Sequence, residues 1–394
     1  MTGYILDWLQ LLLRFLHVIT GIAWIGASFY FVWLDNHLRK PESDDLKSKG
    51  VDGELWAVHG GGFYNPQKYL VAPKELPADL HWFYWESYST WLSGIALFLV
   101  VYLLNAKTML IDQRVMNLSE ASAITLALSF LTIGWVIYDL VCRRFQDNDK
   151  FVGLIVTGMM VAVTYATCHI FSARAAFLIT GAIMATAMTA NVFFWIIPGQ
   201  RAVIKSMKAG EPVDPIHGKR GKQRSVHNTY FTLPVLFAML SNHFHMIYSH
   251  QDQWVLLILM MLAAALIRHY FVLHHKGRNA WGFPLAGSIL ILLVAIWAAP
   301  SSQVVGQSAP ATATLDQVTS IINQRCVACH SDQPTLMPIT PKNLNFRAPG
   351  AIEANAAAIY LQVVQQKIMP VGNITEMTDA ERATIQAWFE NRTQ

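Results

Sequence analysis

Two cysteines and a histidine near the C-terminus have the spacing that attaches haem to a polypeptide. They lie in the run Cys326-Val327-Ala328-Cys329-His330. Two thiols three positions apart can bond to the two vinyl groups of a haem, and the histidine that follows then lies under the iron as an imidazole ligand. A redox-active thiol pair and part of a zinc site are the alternatives for so short a pattern. The flanking sequence favours haem attachment and predicts one covalent haem c, with His330 as a metal ligand.

The residues around this motif predict a small helical domain over residues 313–394. A predicted helix leads into the motif, and one face of this helix carries the apolar residues Leu315, Val318, Ile321 and Ile322. A second helix is predicted near residues 351–367. A capping box, Thr378-Asp379-Ala380-Glu381, opens a final helix.

This order of elements resembles the class I cytochromes c. In that family a methionine in the loop before the last helix is the second axial ligand, often followed by proline. The resemblance implies that Met369, which precedes Pro370, binds the iron together with His330. Met377 is the rival for this role. A thioether opposite an imidazole raises the reduction potential of the haem, which suits an electron acceptor.

The rest of the chain has the composition of a membrane protein. Of 394 residues, 54% are hydrophobic and only 14% are charged, against roughly 25% charged residues in an ordinary soluble domain. Each span needs ~20 mostly apolar residues in a helix, because lipid leaves no other partner for the backbone. The candidate spans are 8–34, 82–104, 119–141, 151–172, 175–197, 230–248, 254–273 and 281–299. The expected fold is therefore all-α, a polytopic bundle of about eight spans over 1–299, a linker over 300–312 and the small domain over 313–394.

The distribution of basic residues predicts the orientation of the bundle. Segments 35–81, 142–150, 198–229 and 268–280 together hold 19 Lys and Arg residues, whereas the alternate loops hold only Lys107, Arg114 and Arg174. The basic segments should face the cytoplasm. Both termini and the haem domain then lie on the outer, periplasmic side of a bacterial plasma membrane, which is where haem is joined to such motifs. The first apolar run begins almost at Met1, lacks a basic leader and is read as a retained span. The modest net charge of +4 gives no sign of a nucleic-acid partner.

Ionisable side chains inside spans are costly, and they are therefore candidates for function. An outer layer contains Arg14, His17, His169, Asn242, His243 and His245, and an inner layer contains His81, Glu86, Asp139 and His269. Hydrogen-bonded packing histidines and an arginine that reaches the interface are the simpler explanations. Two functional alternatives remain. Histidines on facing helices can ligate a b-type haem, or cationic and N–H donors can hold a planar anion against aromatic rings.

Three segments together resemble the bacterial membrane urate hydroxylases, which are cytochrome-c-linked urate oxidases. They are the first span around residues 16–31, the run His59-Gly60-Gly61-Gly62-Phe63-Tyr64 and the C-terminal cytochrome-like region. The resemblance implies oxidation of urate to 5-hydroxyisourate without peroxide, with electrons passed to haem c. A respiratory cytochrome c or a terminal oxidase would then be the electron acceptor. A quinol-oxidising electron-transfer subunit, or a transporter with a redox-sensing tail, is the alternative.

Distance favours a substrate site in the outer layer. The hydrocarbon core is ~30 Å thick, so the inner layer would need a relay to reach a haem on the outer face. Arg14, His17, His169 and His243 are therefore the predicted catalytic residues. The opposing argument is that urate is a cytoplasmic metabolite, which favours His59, His81 and Glu86.

Overall fold

A computed structural model describes residues 2–69, 73, 76–274, 277–299, 313–337 and 340–392. The predicted linker, 300–312, lies outside these residues. The described chain is mainly helical, as predicted. Its membrane part contains α1 (Thr2–His37), α2 (Asp44–Ser48), α3 (Trp85–Leu97), α4 (Ala106–Met109), α5 (Glu120–Arg144), α6 (Asp149–Ile170), α7 (Ala173–Asn191), α8 (Ile197–Lys208), α9 (Pro215–Leu240), α10 (His245–Tyr248), α11 (Gln253–His274) and α12 (Gly282–Trp297).

Six helices of the described chain are long and apolar enough to cross a membrane. They are Tyr4–His37, Trp85–Leu103, Glu120–Arg144, Asp149–Ile170, Ala173–Lys208 and Gln253–His274. Two of them run through π-helical turns, at Phe98–Leu103 and Val192–Ile196. All six overlap predicted spans, and the tight hairpin predicted around Arg174 is present between α6 and α7.

The other two predicted spans take a different form. Segment 230–248 is the apolar end of α9, followed by a 3₁₀ turn at Ser241–His243 and the short α10. Helix α12 has 16 residues, a length of about 24 Å at 1.5 Å per residue, which is short for a perpendicular crossing. The count of eight spans therefore stays a prediction.

The core of the bundle lies around α7, whose small residues let neighbouring helices approach closely. A Cβ added at Gly181 would lie 2.8 Å from Ala238 Cβ on α9, and one added at Gly134 of α5 would lie 2.8 Å from Ile183 Cγ2 on α7. Close approach of backbones through small residues is the usual basis of helix packing in membranes. This packing holds α5, α7 and α9 together around the polar residues described below.

The expectation of an all-α chain needs one correction, in the segment between α1 and α3. Strand β1 (Val51–Glu54) pairs with β4 (Gln67–Tyr69), and β2 (Ala57–His59) pairs with β3 (Gly62–Tyr64), both antiparallel. Gly60 and Gly61 form the two-residue turn between β2 and β3 with φ values of +59° and +81°. Positive φ at both central positions is what such hairpins require and what glycine adopts without strain. The turn itself therefore accounts for glycine at both positions.

The C-terminal domain, residues 313–392, has its own small core. It contains α13 (Leu315–Arg325), α14 (Ala351–Ala354), α15 (Ala356–Ile359) and α16 (Asp379–Arg392), with a π-helical turn at Tyr360–Gln365 and 3₁₀ turns at Pro341–Asn343 and Val371–Asn373. Val318 and Ile322 of α13 are fully buried against Ile385 and Trp388 of α16. The predicted apolar face of the first helix is therefore the packing face. The predicted helix near 351–367 is present, divided into three short segments.

Candidate functional site

The predicted haem-attachment motif directly follows α13. Thr314 and Gln317 form a capping box at the start of this helix, and the helix ends at Arg325. The chain then turns tightly, with the backbone N–H groups of Cys329 and His330 donating to the Cys326 carbonyl at 3.0 and 2.8 Å. Cys326 is buried, Cys329 is half-buried and both are free thiols. The turn thus holds both sulfurs and the imidazole within one short, hydrogen-bonded segment.

Burial favours the uncharged forms of these three side chains. It raises the pKa of the Cys326 thiol to about 12 and also raises the pKa of Cys329. Burial lowers the pKa of His330, and the Leu344 carbonyl opposes this shift weakly. The Nδ1 atom of His330 is buried and makes no hydrogen bond of normal geometry within the described residues. A neutral imidazole retains a ring lone pair for an iron ion.

A buried arginine binds the backbone of the loop that carries Met369. Arg382 on α16 is 5% exposed, and it donates to the carbonyl of Met369 at 2.8 Å and to that of Val363. Met369 is half-buried and packs against the same core that contains Cys326. Its rival Met377 is only 4% exposed and is enclosed by that core. Met369 is thus the more accessible of the two thioethers, and its role as the iron ligand stays a prediction.

An ion pair joins the two ends of this domain. Arg325 at the end of α13 donates to Glu381 Oε1 at 2.9 Å and to the Thr375 carbonyl at 2.5 Å. Glu381 Oε2 accepts from the Thr378 N–H at 2.7 Å, which completes the predicted capping box. Burial opposes ionisation of Glu381, but the hydrogen bonds from Thr378 and Arg325 hold the pKa of this carboxyl below its usual value. The arrangement sets the position of the motif relative to α16.

The donor set of this domain fits a covalently attached haem c. Cys326 and the half-buried Met369 belong to one small core. Cys329 is three residues from Cys326, and the His330 ring packs against Phe346 of that core at 5.4 Å between ring centroids. Among the described residues no group of three or more His, Cys, Asp or Glu side chains is arranged to hold a metal ion by itself. The haem ligands Cys326, Cys329, His330 and Met369 accordingly stay a prediction.

The four predicted catalytic residues make separate contacts. The exposed Arg14 donates to Gln10 on its own helix at 3.2 Å. His17 is half-buried against α3, where its Nδ1 lies 3.0 Å from the Thr90 carbonyl oxygen. The exposed His169 bonds to the Tyr165 carbonyl one turn earlier at 2.7 Å, and the exposed His243 lies in the 3₁₀ turn after α9. None of these contacts joins two of the four residues, so their catalytic role stays a prediction.

His81 and Glu86, two residues of the predicted inner layer, make separate contacts. His81 precedes α3 and packs edge-on against Phe83 at 4.7 Å between ring centroids. Glu86 lies in the first turn of α3, and its Oε2 atom is buried without a hydrogen-bond partner within the described chain.

A buried polar network around α5, α7 and α9 was only partly predicted from the sequence. Asp139 on α5 accepts hydrogen bonds from Arg224, Trp195 and Arg143, each at 2.7 Å. Arg224 is 2% exposed and lies inside α9, whereas the sequence had placed it in a cytoplasmic loop. The network continues through Asn191, Tyr138, His227 and Asn228. The polar groups of this network bind one another within the protein, which is typical of a network that stabilises the fold.

The C-terminal domain contacts the end of the bundle that bears few basic residues. We call this end the docking face; it consists of segments 104–119, 170–174 and 248–253. A Cβ added at Gly372 would lie only 2.5 Å from the Ile111 carbonyl oxygen, so the two backbones approach closely. Arg114 on the docking face also interacts electrostatically with Asp379 at the start of α16. The loop carrying Met369 therefore lies against the membrane part of the chain.

Comparison with known families gives one result. The sequence model of a family described as "Urate oxidase N-terminal" matches residues 3–299, which is the whole of the predicted membrane domain. The comparisons with curated proteins and with solved structures gave no match.

Proposed function

Because the chain belongs to the urate oxidase N-terminal family, we propose that it is a membrane oxidoreductase that oxidises urate to 5-hydroxyisourate. The electrons pass to a haem c held by the C-terminal domain. The family match over residues 3–299 carries the assignment to urate. The contact between the docking face and the Met369 loop supports a direct route for the electrons.

The haem is held by four side chains of the C-terminal domain. Cys326 and Cys329 would form the thioether bonds, and His330 and Met369 would supply the ligands of the iron. When bound, haem c supplies a one-electron acceptor of raised reduction potential, so each urate needs two electron transfers with re-oxidation by a respiratory cytochrome c or a terminal oxidase between them. Arg382 holds the Met369 carbonyl and thereby the position of that loop.

The overall reaction balances with water as the oxygen source. Urate and one water give 5-hydroxyisourate, two protons and two electrons. Removal of the electrons makes the purine ring electrophilic, and water deprotonated by a base then adds to it. Dioxygen takes no part in this step, so the reaction releases no peroxide. A b-type haem within the bundle stays open as an additional relay.

The membrane orientation is part of the proposal. The docking face holds few basic residues and the opposite end holds many, which supports placement of the docking face on the periplasmic side of a bacterial plasma membrane. Both termini then lie outside. The C-terminal domain can reach electron acceptors there.

The direct test adds urate to membranes that contain the full-length protein, without oxygen and with no other donor. We expect the c-type absorption bands to become reduced, and with oxidised cytochrome c then added as acceptor we expect two electrons to be released per urate. Dithionite provides the control for intact haem. Bands that dithionite reduces but urate leaves oxidised would refute urate as the substrate, and reduction by a quinol together with detectable b haem would support the electron-transfer alternative.

The haem assignment has its own test. Intact-mass measurement of the C-terminal region should show the added mass of one porphyrin, and Cys326→Ser with Cys329→Ser should remove it. Two free thiols in the wild-type protein would contradict the assignment, whatever the activity.

A further inference from the structure

A cavity of about 320 Å³ lies between the docking face and the loop that precedes Met369. One wall comes from the membrane part, including Arg114, Arg174 and Tyr248, and the other comes from residues 366–372 of the C-terminal domain. The volume is at the lower end of the range found for small-molecule sites. None of the four predicted catalytic residues is among its described lining residues.

The charged groups of the cavity favour an anion. Arg114, Arg174 and Lys367 line it, and Asp112 is the one carboxylate among its described lining residues. Asp112 is already bound to Arg114 at 2.6 Å. Arg174 donates to the Tyr248 hydroxyl at 3.1 Å, and its guanidinium lies 5.5 Å from the centre of that ring. Lys367 pairs with Asp379 of its own domain at 3.5 Å, so the positive charge left for a ligand is that of Arg174, held beside the Tyr248 ring.

Two amide oxygens in the same walls lack partners. The Oε1 atoms of Gln253 and Gln366 are buried and make no hydrogen bond within the described residues, and both side chains line the cavity. A buried acceptor without a donor carries a free-energy cost. A ligand that supplies N–H groups would satisfy these atoms, whereas phosphate or a carboxylate could not do so without a bound proton.

We propose that this cavity binds the urate anion. The inference rests on the proposed function. Urate is a planar anion that combines ring N–H donors with a delocalised negative charge, and the cavity presents unpaired acceptors beside cations. Arg174 binds the charge, and Gln253 and Gln366 accept from the ring N–H groups. Gln366 is three residues before Met369, so the substrate lies next to the predicted haem ligand and electrons need no relay through the membrane.

The first experiment compares neighbouring glutamines in the full-length protein. Gln366→Leu removes a cavity acceptor, and Gln365→Leu changes the exposed residue beside it. We expect the KM for urate to rise about tenfold in Gln366→Leu, because the loss of one hydrogen bond lowers affinity roughly three- to tenfold or more. The KM should stay unchanged in Gln365→Leu. Haem reduction by dithionite should be the same in both.

The second comparison tests the charge. Arg174→Gln should raise KM by roughly 30-fold, and Arg174→Lys should recover part of this loss because it keeps the charge. Arg347→Gln, at an exposed position of the C-terminal domain, is the matched control. Equal KM values in all variants of an active enzyme would overturn the cavity as the urate site and leave the proposed function intact.

Direct binding separates the two hypotheses further. Equilibrium dialysis of labelled urate against the full-length protein measures binding without turnover. Binding of urate to the wild-type protein that is weakened by Arg174→Gln would support the cavity as the urate site. If the haem nevertheless stays oxidised, only the proposed function fails. A wild-type protein that binds no urate would refute the cavity proposal.

Discussion

The close contact at Gly372 offers a sharp test of whether docking of the two domains matters for electron transfer. Gly372 has a φ of +58°, and a Cβ added there would lie 2.5 Å from the Ile111 carbonyl oxygen. Ordinary contact begins at 3.4 Å. Gly372→Ala therefore requires the two surfaces to move apart by about 1 Å, in addition to the strain of a left-handed alanine.

The magnitude follows from these two terms. The left-handed conformation costs ~1–2 kcal/mol, and this cost falls on the C-terminal domain whether or not it is docked. The clash acts only in the docked arrangement. If the clash weakens docking by another ~1–2 kcal/mol, the ratio of docked to undocked molecules falls roughly 5- to 30-fold. Under the proposed function, the rate of urate-dependent haem reduction should fall with it.

The chain provides a matched control for the strain. Gly350 lies in the same domain with a φ of +72°, and open space surrounds the position of its Cβ. Gly350→Ala therefore adds the left-handed strain without the clash. Stopped-flow measurement of haem reduction by urate should show a slow Gly372→Ala variant and a near-normal Gly350→Ala variant. Reduction of both by ascorbate should be unchanged.

Two results would refute this reasoning. Equal urate-dependent rates in Gly372→Ala and wild type would show that docking at Ile111 does not control electron transfer. Equal slowing in both alanine variants would show that backbone strain within the domain, and not the contact, is responsible. Gly372→Asn provides a further check, because asparagine tolerates positive φ but still adds the Cβ.

Three further predictions concern single residues. Hydrogen bonds hold the pKa of Glu381 low despite burial. The charged carboxylate therefore stabilises the fold at pH values above the pKa of the unfolded state. This contribution is lost as the pH falls through the lower pKa of the folded state. Glu381→Gln should cost about 1–2 kcal/mol near pH 7, with a loss that shrinks below about pH 4; thermal unfolding followed at both pH values checks this. In protein made without haem attachment, Cys326, with its pKa near 12, should react with iodoacetamide at least several-fold more slowly than Cys329, and peptide mass spectrometry would show the difference. Arg224→Gln leaves the buried carboxylate of Asp139 without its main partner and should lower the free energy of unfolding by ~3–5 kcal/mol. Arg143 is more exposed and binds the same carboxylate, so Arg143→Gln should lower it by about 1 kcal/mol or less. Thermal unfolding of the detergent-solubilised variants distinguishes the two.

Local patterns allowed part of this structure to be predicted. The capping box at Thr378, the apolar face of α13 and the hairpin at Arg174 all depend on residues within a few positions of each other. The hairpin of β2 and β3 also had a local signal. Gly60-Gly61 is a two-residue turn sequence between short apolar and aromatic runs, but its strands of three residues are shorter than a period-two pattern can reveal.

Contacts between distant parts of the sequence could not be predicted. Arg224 and Asp139 are separated by 85 positions, and the basic residues before Arg224 made the first half of α9 resemble a cytoplasmic loop. Its burial follows from the packing of α9 against α5 and α7. The cavity at the docking face is a similar case, because its walls come from four separate segments and the two unpaired glutamine oxygens have no sequence signature.

The covalent link between the domains explains how so small a docking contact can be sufficient. The 13 residues from 300 to 312 reach at most ~45 Å when extended, and a short tether gives an effective concentration in the millimolar range. Docking then predominates if the intrinsic dissociation constant is below about 1 mM, which corresponds to only about 4 kcal/mol. A contact near this limit would also let the C-terminal domain separate and meet an external electron acceptor. A loss of ~1–2 kcal/mol at Gly372 would then be a large fraction of the docking free energy, and one added methyl group at this position should be enough to uncouple the two domains.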